Sequence, residues 1–291
     1  MNTRRLQIVF ALLIVAALIS YGAWTGIENT IGPCSLAMAS AAAVPSTAAL
    51  LDTIATDALS PTAARALAAY GGAAVWQRAT MTESTVTIGG ALFRVKGRSI
   101  PAHAIIRTDI RRPHVEINPI DTEGDVGILD GFSVAIQSPR GETIDERRDA
   151  RDYLQNRQLW TRWDRLNLVY FVAYAFWGYN SLPYQLTRRD IKWTELKESA
   201  LQADYAADLP VHSRTQRFYF DPQTGLLQRN DYIAVAASPG AQAANVVLKY
   251  ANADGIPYPA TRQVKMTPRR YGWCLPAPNM VTIDVEKWRL Y

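Results

Sequence analysis

The sequence predicts an α+β fold in which a strongly curved antiparallel β-sheet of about ten or eleven strands wraps around helices. Short segments in which apolar and polar residues alternate, bounded by Gly, Pro or Asp, fill residues 80–137 and 190–286. Between them, the run from Leu166 to Tyr179 is apolar or aromatic everywhere except at Asn167 and Gly178. A sheet made of hairpins needs a cover on one face, and no other segment of the domain is apolar enough to provide it.

The first 24 residues predict a signal peptide or a membrane anchor. Arg4 and Arg5 precede an apolar run from Leu6 to Ile19 that extends in weaker form to Trp24. The sequence leaves cleavage and retention open, because the run is barely long enough to span a bilayer. In both cases the positive residues precede the run. The rest of the chain is therefore predicted to be extracytoplasmic, periplasmic or secreted, with residues 6–24 as an inner-membrane anchor if they are retained.

The two cysteines of the chain, Cys34 and Cys274, fit this compartment. They could form a disulfide or remain two thiols, and lipid modification of Cys34 is a third option. Residues 25–58 are rich in Ala, Ser and Thr and predict a linker, which leaves residues 59–291 as the folded domain.

The folded domain begins with a helix over 62–70, because Ser60 is a good N-cap, Pro61 suits the first turn and Gly71-Gly72 stops it. Alternation then predicts strands at 80–88, 91–96, 102–107, 114–118 and 132–137. Residues 121–130 predict a turn with solvated carboxylates, and 145–158 a charged helical region. After the aromatic helix, which Pro183 should end, strands are predicted at 190–200, 213–221, 226–236, 246–250, 262–267 and 280–286.

Charge and motifs exclude several classes of function. The formal charge of +5 comes from 31 basic and 26 acidic residues, and the arginines of 147–165 are interleaved with carboxylates. This is a mixed solvated surface, so no nucleic-acid partner is expected. The three histidines, His103, His114 and His212, show no metal-ligand spacing, and no phosphate-binding Gly loop is present. We expect no metal and no cofactor.

Several motifs resemble an uncharacterised bacterial family whose second half is similar to the lipoprotein-carrier superfamily of LolA-like and LppX-like proteins. The resemblance covers about residues 71–287 and is strongest over 160–265. The motifs are Trp163-Asp164-x-Leu166, Tyr170-Phe171-x-x-Tyr174-Ala175-x-Trp177-x-Tyr179, Leu209-Pro210-x-His212-Ser213, Tyr219-Phe220-Asp221 with Gly225-Leu226-Leu227, and Asp254-Gly255-Ile256-x-x-Pro259-x-x-Arg262. The resemblance implies a half-open antiparallel barrel with helices in its mouth and a hydrophobic cavity for acyl chains. It implies no catalytic activity.

The aromatic helix has two interpretations, core and ligand wall. As a wall it would present Tyr170, Tyr174 and Trp177 to a ligand, and the neighbouring candidates are Trp163, Phe171 and His212. We therefore expect a non-catalytic extracytoplasmic protein that binds a hydrophobic ligand such as a lipid or an acyl chain, and that meets the membrane through its N-terminal segment. A structural or protein-interaction module whose own helix fills the cavity, and an unrecognised hydrolase, are the alternatives.

Overall fold

The computed structural model describes residues 59–154, 158–197, 199–267 and 274–291. The predicted signal peptide or anchor (1–24) and the predicted linker (25–58) lie outside these ranges. Within them, no helix combines the length and the apolar character that crossing a membrane would require. Cys274 is disulfide-bonded. The only other cysteine of the chain, Cys34, lies outside the described residues.

One antiparallel sheet of thirteen strands forms the body of the fold. The strands are β1 (Met81–Gly89), β2 (Ala104–Asp109), β3 (His114–Asn118), β4 (Val126–Asp130), β5 (Ser133–Gln137), β6 (Thr143–Arg147), β7 (Ile191–Leu196), β8 (Ala200–Tyr205), β9 (Thr215–Phe220), β10 (Leu227–Ile233), β11 (Gln242–Ala253), β12 (Ile256–Met266) and β13 (Val281–Leu290). Their order in the sheet is β6-β5-β4-β3-β2-β1-β13-β12-β11-β10-β9-β8-β7. Two meanders, β1–β6 and β7–β13, therefore lie side by side, and β1 pairs with β13 at their junction.

Six helices accompany the sheet in the described ranges. They are α1 (Pro61–Ala69), α2 (Ala73–Arg78), α3 (Ala91–Lys96), α4 (Ala150–Leu154), α5 (Arg165–Asn180) and α6 (Leu182–Gln185). Helix α1 starts as predicted, because the Ser60 side chain accepts a hydrogen bond from the Ala63 amide and Pro61 occupies the first turn. Helices α4 to α6 connect β6 to β7, which are the two edge strands of the sheet.

Helix α5 is the predicted aromatic helix, and it is buried on all sides from Leu166 to Trp177. Its N-cap is Asp164, whose carboxylate accepts a hydrogen bond of 2.8 Å from the Asn167 amide. The helix packs across β2–β6. Its last residue is Asn180, so Pro183 does not end it but lies in the first turn of α6.

The sheet curls around the aromatic helix. The Asn180 side chain donates to Thr108 Oγ1 of β2 at 3.2 Å, while the neighbouring Tyr179 hydroxyl lies 3.1 Å from that of Tyr232 in β10. Five strand-to-strand steps separate β2 from β10, which would place them about 24 Å apart in a flat sheet. Because consecutive residues of one helix touch both strands, the sheet must be strongly curved. It is not closed, since β6 and β7 are not paired.

The predicted number of ten or eleven strands is wrong, and so is one assigned element. Residues 91–96 form helix α3, because Gly90 and the left-handed Gly97 (φ 69°) bracket a segment too short for its period to distinguish helix from strand. Strands β4, β6 and β8 were not predicted as separate strands. Strand β6 also replaces the start of the predicted helical region 145–158, because it is a charged, mostly exposed edge strand without alternation.

The acidic segment 121–130 is a turn of solvated carboxylates only in part, since Glu123 and Asp130 are exposed but the other two carboxylates are not. Asp125 is buried, and it binds the guanidinium of Arg165 together with Asp121. Arg165 is the first residue of the aromatic helix, and residues 126–130 form β4. The two carboxylates therefore tie the start of this helix to the sheet, as buried charges require partners.

Gly127 of β4 gives the aromatic helix room to approach the sheet. A Cβ at this position would lie 2.6 Å from Cγ2 of Val169, a β-branched helix residue with little rotamer freedom. We expect Gly127→Ala to lower the free energy of unfolding by about 1–3 kcal/mol in urea denaturation. Gly178→Ala in the same helix meets no atom within 4 Å and should stabilise by up to about 1 kcal/mol through helix propensity. Equal stability of Gly127→Ala and wild type would contradict this packing.

Candidate functional site

The sheet splits between β12 and β13. Their pairing joins residues 261–264 to 281–284 and goes no further. Beyond it, β12 continues beside β11 and β13 continues beside β1. A register shift in β11 between Val247 and Tyr250 bends the strands at this point. Pro257 and Pro259 fall in the part of β12 that lacks a partner on the β13 side, which is where a sheet tolerates proline.

A cleft lies at this split, beside the C-terminal end of the aromatic helix, and contains a cavity of about 30 Å³. Its lining is aromatic or apolar with two exceptions, Asn180 and Arg262. The lining residues are Tyr70, Trp76, Phe176, Tyr179, Asn180, Pro183, Pro257, Tyr258, Pro259, Arg262, Ile283, Val285 and Trp288. A cavity of this volume holds about two water molecules, so a larger guest requires side chains to move.

Three rings cover the cleft, and we call Trp76, Tyr258 and Trp288 the aromatic cover. Tyr258 and Trp288 stack with centroids 5.6 Å apart and planes at 15°, and Trp76 lies 6.4 Å from Trp288. The Trp76 indole donates a hydrogen bond of 2.7 Å to the Tyr70 carbonyl. The cover therefore combines apolar contact area with rings that are partly fixed by stacking.

Arg262 is the only charged side chain among the described residues that line the cleft. It is 4% exposed, and its Cζ lies 4.8 Å from the centroid of the Tyr179 ring. Burial raises the pKa of Tyr179, and the positive charge of Arg262 partly opposes that rise. Burial raises the pKa of Tyr70 in the same way, again opposed in part by Arg262. The charge of Arg262 therefore acts on the hydroxyls of two residues that line the cleft, Tyr70 and Tyr179.

A second cluster lies deeper, around His212. Its Nδ1 is 3.1 Å from the Tyr174 hydroxyl and its Nε2 is 3.1 Å from that of Tyr179, while its ring stacks on Tyr232 at 3.7 Å. Burial lowers the pKa of His212 to about 3, so the imidazole is neutral at pH 7. Such an imidazole can accept from one tyrosine and donate to the other.

All six residues predicted for the ligand site are buried: Trp163, Tyr170, Phe171, Tyr174, Trp177 and His212. Tyr174 and His212 border a cavity of about 10 Å³ beside the aromatic helix. The other four line neither this cavity nor the cleft and pack in the core. Direct contact of these six residues with a ligand stays a prediction.

Sequence reasoning did not single out the aromatic cover or Arg262 as site residues. One signal was present in β12, where Tyr258, Ala260 and Val264 mark the buried phase of the strand and Arg262 falls on the same phase. A basic side chain on the buried face of a strand needs either an acidic partner or a functional role. Trp76 and Trp288 carried no such signal, because they come from opposite ends of the domain.

Throughout the described ranges, no three His, Cys, Asp or Glu side chains are grouped as metal ligands.

The buried Lys96 donates hydrogen bonds to the carbonyls of Ala237 and Gln158 at 2.8 and 3.2 Å, and burial lowers its pKa to about 8. It therefore links three segments of the chain.

Comparison with known proteins finds structural neighbours at very low identity. No family model and no curated protein matches the chain. Among solved structures, a domain from Vibrio parahaemolyticus assigned to outer membrane lipoprotein sorting shares 11% identity, with a TM-score of 0.43 over 79% of this chain and 90% of that chain. A DUF1329 family protein from Desulfovibrio piger shares 10% identity, with a TM-score of 0.37 over 79% and 91% of the two chains. The chain is also similar to a LolA superfamily protein from Nitrosomonas europaea, with 9% identity and a TM-score of 0.35 over 74% and 87% of the two chains.

Proposed function

We propose that this protein is a non-catalytic binding protein for a hydrophobic molecule, a lipid or an acyl chain, and that it works outside the cytoplasm. The observation that carries the proposal is the cleft at the split between β12 and β13. It is the larger of the two cavities described above, its lining is almost wholly aromatic and apolar, and its rim residues Asn180, Pro259 and Val285 are partly exposed. Pockets of this composition are the usual sites for small apolar ligands.

The aromatic helix limits where such a ligand can lie. It occupies the concave face of β2–β6, so the apolar surface left for a guest is at the helix end, under the aromatic cover. The present cavity is too small for an acyl chain. We therefore expect the rings of Tyr258 and Trp288 to turn outward when a chain enters.

Two observations support a site of action outside the cytoplasm. The basic and apolar segment of residues 1–24 is typical of export. Cys274 is disulfide-bonded, and such bonds persist mainly in oxidising compartments. We propose that the domain is periplasmic or secreted, with residues 6–24 as its anchor if they are retained.

Ligand binding in the cleft is tested by a substitution that fills the cleft. We expect the purified full chain to carry lipid detectable by mass spectrometry and to take up dodecanol, an uncharged single-chain probe. Val285→Trp adds an indole at the rim and should weaken dodecanol binding at least about tenfold, or 1.4 kcal/mol. Val235→Trp is the matched control, because Val235 is 43% exposed and lies away from the cleft.

Thermal unfolding of both variants establishes that they remain folded. Wild-type affinity in folded Val285→Trp would place the ligand elsewhere. Absence of both co-purified lipid and dodecanol uptake in the wild type would overturn the proposal and leave a module whose own helix fills the sheet.

A further inference from the structure

Three basic residues are buried in the described part of the chain: Lys96, Arg229 and Arg262. Lys96 bonds to two carbonyls. Arg229 forms an ion pair of 2.9 Å with the buried carboxylate of Asp231. Arg262 makes no ion pair with any described carboxylate, and its Nη1 has no hydrogen-bond partner among those residues. It is therefore the exception among the buried cations.

The surroundings of Arg262 are polar enough to hold a guest but contain no anion. Among the residues that the structure describes, no Asp or Glu lines the cleft. Asn245, on the neighbouring strand β11, is 0% exposed. Burial raises the pKa of Tyr179, and the positive charge of Arg262 and a hydrogen bond with the Asn245 side chain each partly lower it, so both groups lie near its hydroxyl. The guanidinium is thus left without a carboxylate partner among the described residues.

An unpaired guanidinium at this depth is unfavourable. Arginine stays protonated in proteins, so loss of a proton cannot reduce the free energy that burial of its charge requires. Stacking on Tyr179 compensates the charge in part but satisfies no N–H donor. The cavity beside it has room for about two water molecules. An oxyanion would satisfy both the charge and the planar array of donors, which fits carboxylate or phosphate oxygens in pairs.

We propose that Arg262 receives the acid group of an amphiphilic ligand, a carboxylate or phosphate oxyanion whose apolar chain lies under the aromatic cover. This proposal rests on the proposed function and names the ligand class of the same cleft. The arginine holds the head group inside the cleft, beside the ring of Tyr179. The chain extends from there toward the partly exposed rim at Pro259 and Val285.

The test compares dodecanoate with dodecanol, which share a chain and differ in the acid group. Binding is measured by isothermal titration calorimetry on the full chain. We expect wild type to bind dodecanoate about ten- to a hundredfold more tightly than dodecanol, as a charge-assisted hydrogen-bonded pair provides. Arg262→Met should abolish this preference and retain dodecanol binding. Lys249→Met removes the same charge from an exposed position on β11 and should leave the preference intact.

A stability measurement separates recognition from a purely structural role. Because Arg262→Met replaces a buried unpaired charge by an apolar side chain, the ligand-free variant should be as stable as wild type or more stable. A loss of stability with an unchanged dodecanoate preference would assign Arg262 to structure and overturn the proposal. If Arg262→Met does not fold, Arg262→Lys serves instead, and it should retain only part of the preference because it lacks the planar donor pair.

The remaining outcomes are distinguishable. Equal binding of dodecanoate and dodecanol by wild type overturns the head-group assignment and leaves the proposed function standing. Binding of neither probe overturns the proposed function itself. Acetate and inorganic phosphate are added as chain-free anions, and binding of either one as tightly as dodecanoate would overturn the assignment of an amphiphile in favour of a free anion.

Discussion

Acidification from pH 6.5 to pH 3 is expected to lower the free energy of unfolding by about 4 kcal/mol through His212 alone. Burial lowers the pKa of this imidazole to about 3 in the folded protein, against about 6.5 in an unfolded chain. Below pH 6.5 the His212 imidazole is therefore protonated in the unfolded chain but stays neutral in the folded protein. The stabilisation is complete above pH 6.5 and is lost progressively as the pH falls toward 3.

The measurement is urea denaturation of wild type and His212→Gln at pH 6.5, 5.5 and 4.5. The difference between their free energies of unfolding should shrink by about 2 kcal/mol over these two pH units. The subtraction is needed because Asp231 acts in the opposite direction. Burial raises its pKa to about 6 despite the nearby Arg229, so protonation of Asp231 favours the folded state over the same range.

The matched control is His103→Gln, which removes an imidazole from the surface, where its ion-pair partner is Glu286. Exposed ion pairs contribute at most about 1 kcal/mol, so this variant should follow the wild-type profile closely. Parallel profiles for His212→Gln and wild type would show that His212 takes up a proton as readily in the folded protein as in the unfolded chain. The hydrogen bonds that Tyr174 and Tyr179 make with a neutral imidazole would then be wrongly assigned.

Trp177→Ala is expected to lower the free energy of unfolding by about 3–5 kcal/mol. The side chain is 0% exposed and belongs to the core that joins the aromatic helix to the sheet. Its removal leaves a cavity that neighbouring rings can fill only in part. Trp160→Ala is the matched control, because Trp160 is 64% exposed and surface substitutions usually change stability by less than about 0.5 kcal/mol.

Trp177→Phe separates packing from ligand contact. It retains most of the volume and removes an indole N–H that has no hydrogen-bond partner in the described part of the chain, so the fold should survive. The sequence predicts that Trp177, with Tyr174, touches the ligand, and the Phe variant should then bind dodecanol more weakly. Unchanged dodecanol binding by folded Trp177→Phe would assign this side chain to the core alone.

Local signals determined much of the fold. Ser60 and Pro61 specify the start of α1, because capping and a fixed φ act within one turn. The apolar run 166–177 specifies a buried helix, because no face of it can meet water. Alternation placed most strands of both meanders. It failed at 91–96, where six residues satisfy either period, and at the exposed edge strand β6, which has no buried face to alternate with.

Only the tertiary structure decided which strands meet and where the site lies. Val86 pairs with Val285 across the junction of the two meanders, and no local pattern encodes a pairing over that distance. The cleft exists because β12 and β13 part beyond residues 261 and 284. The tertiary structure also determines the environment of Arg262, because it places no described carboxylate against the guanidinium. A residue's type and phase are properties of the chain, whereas its burial and its partners are set by long-range packing.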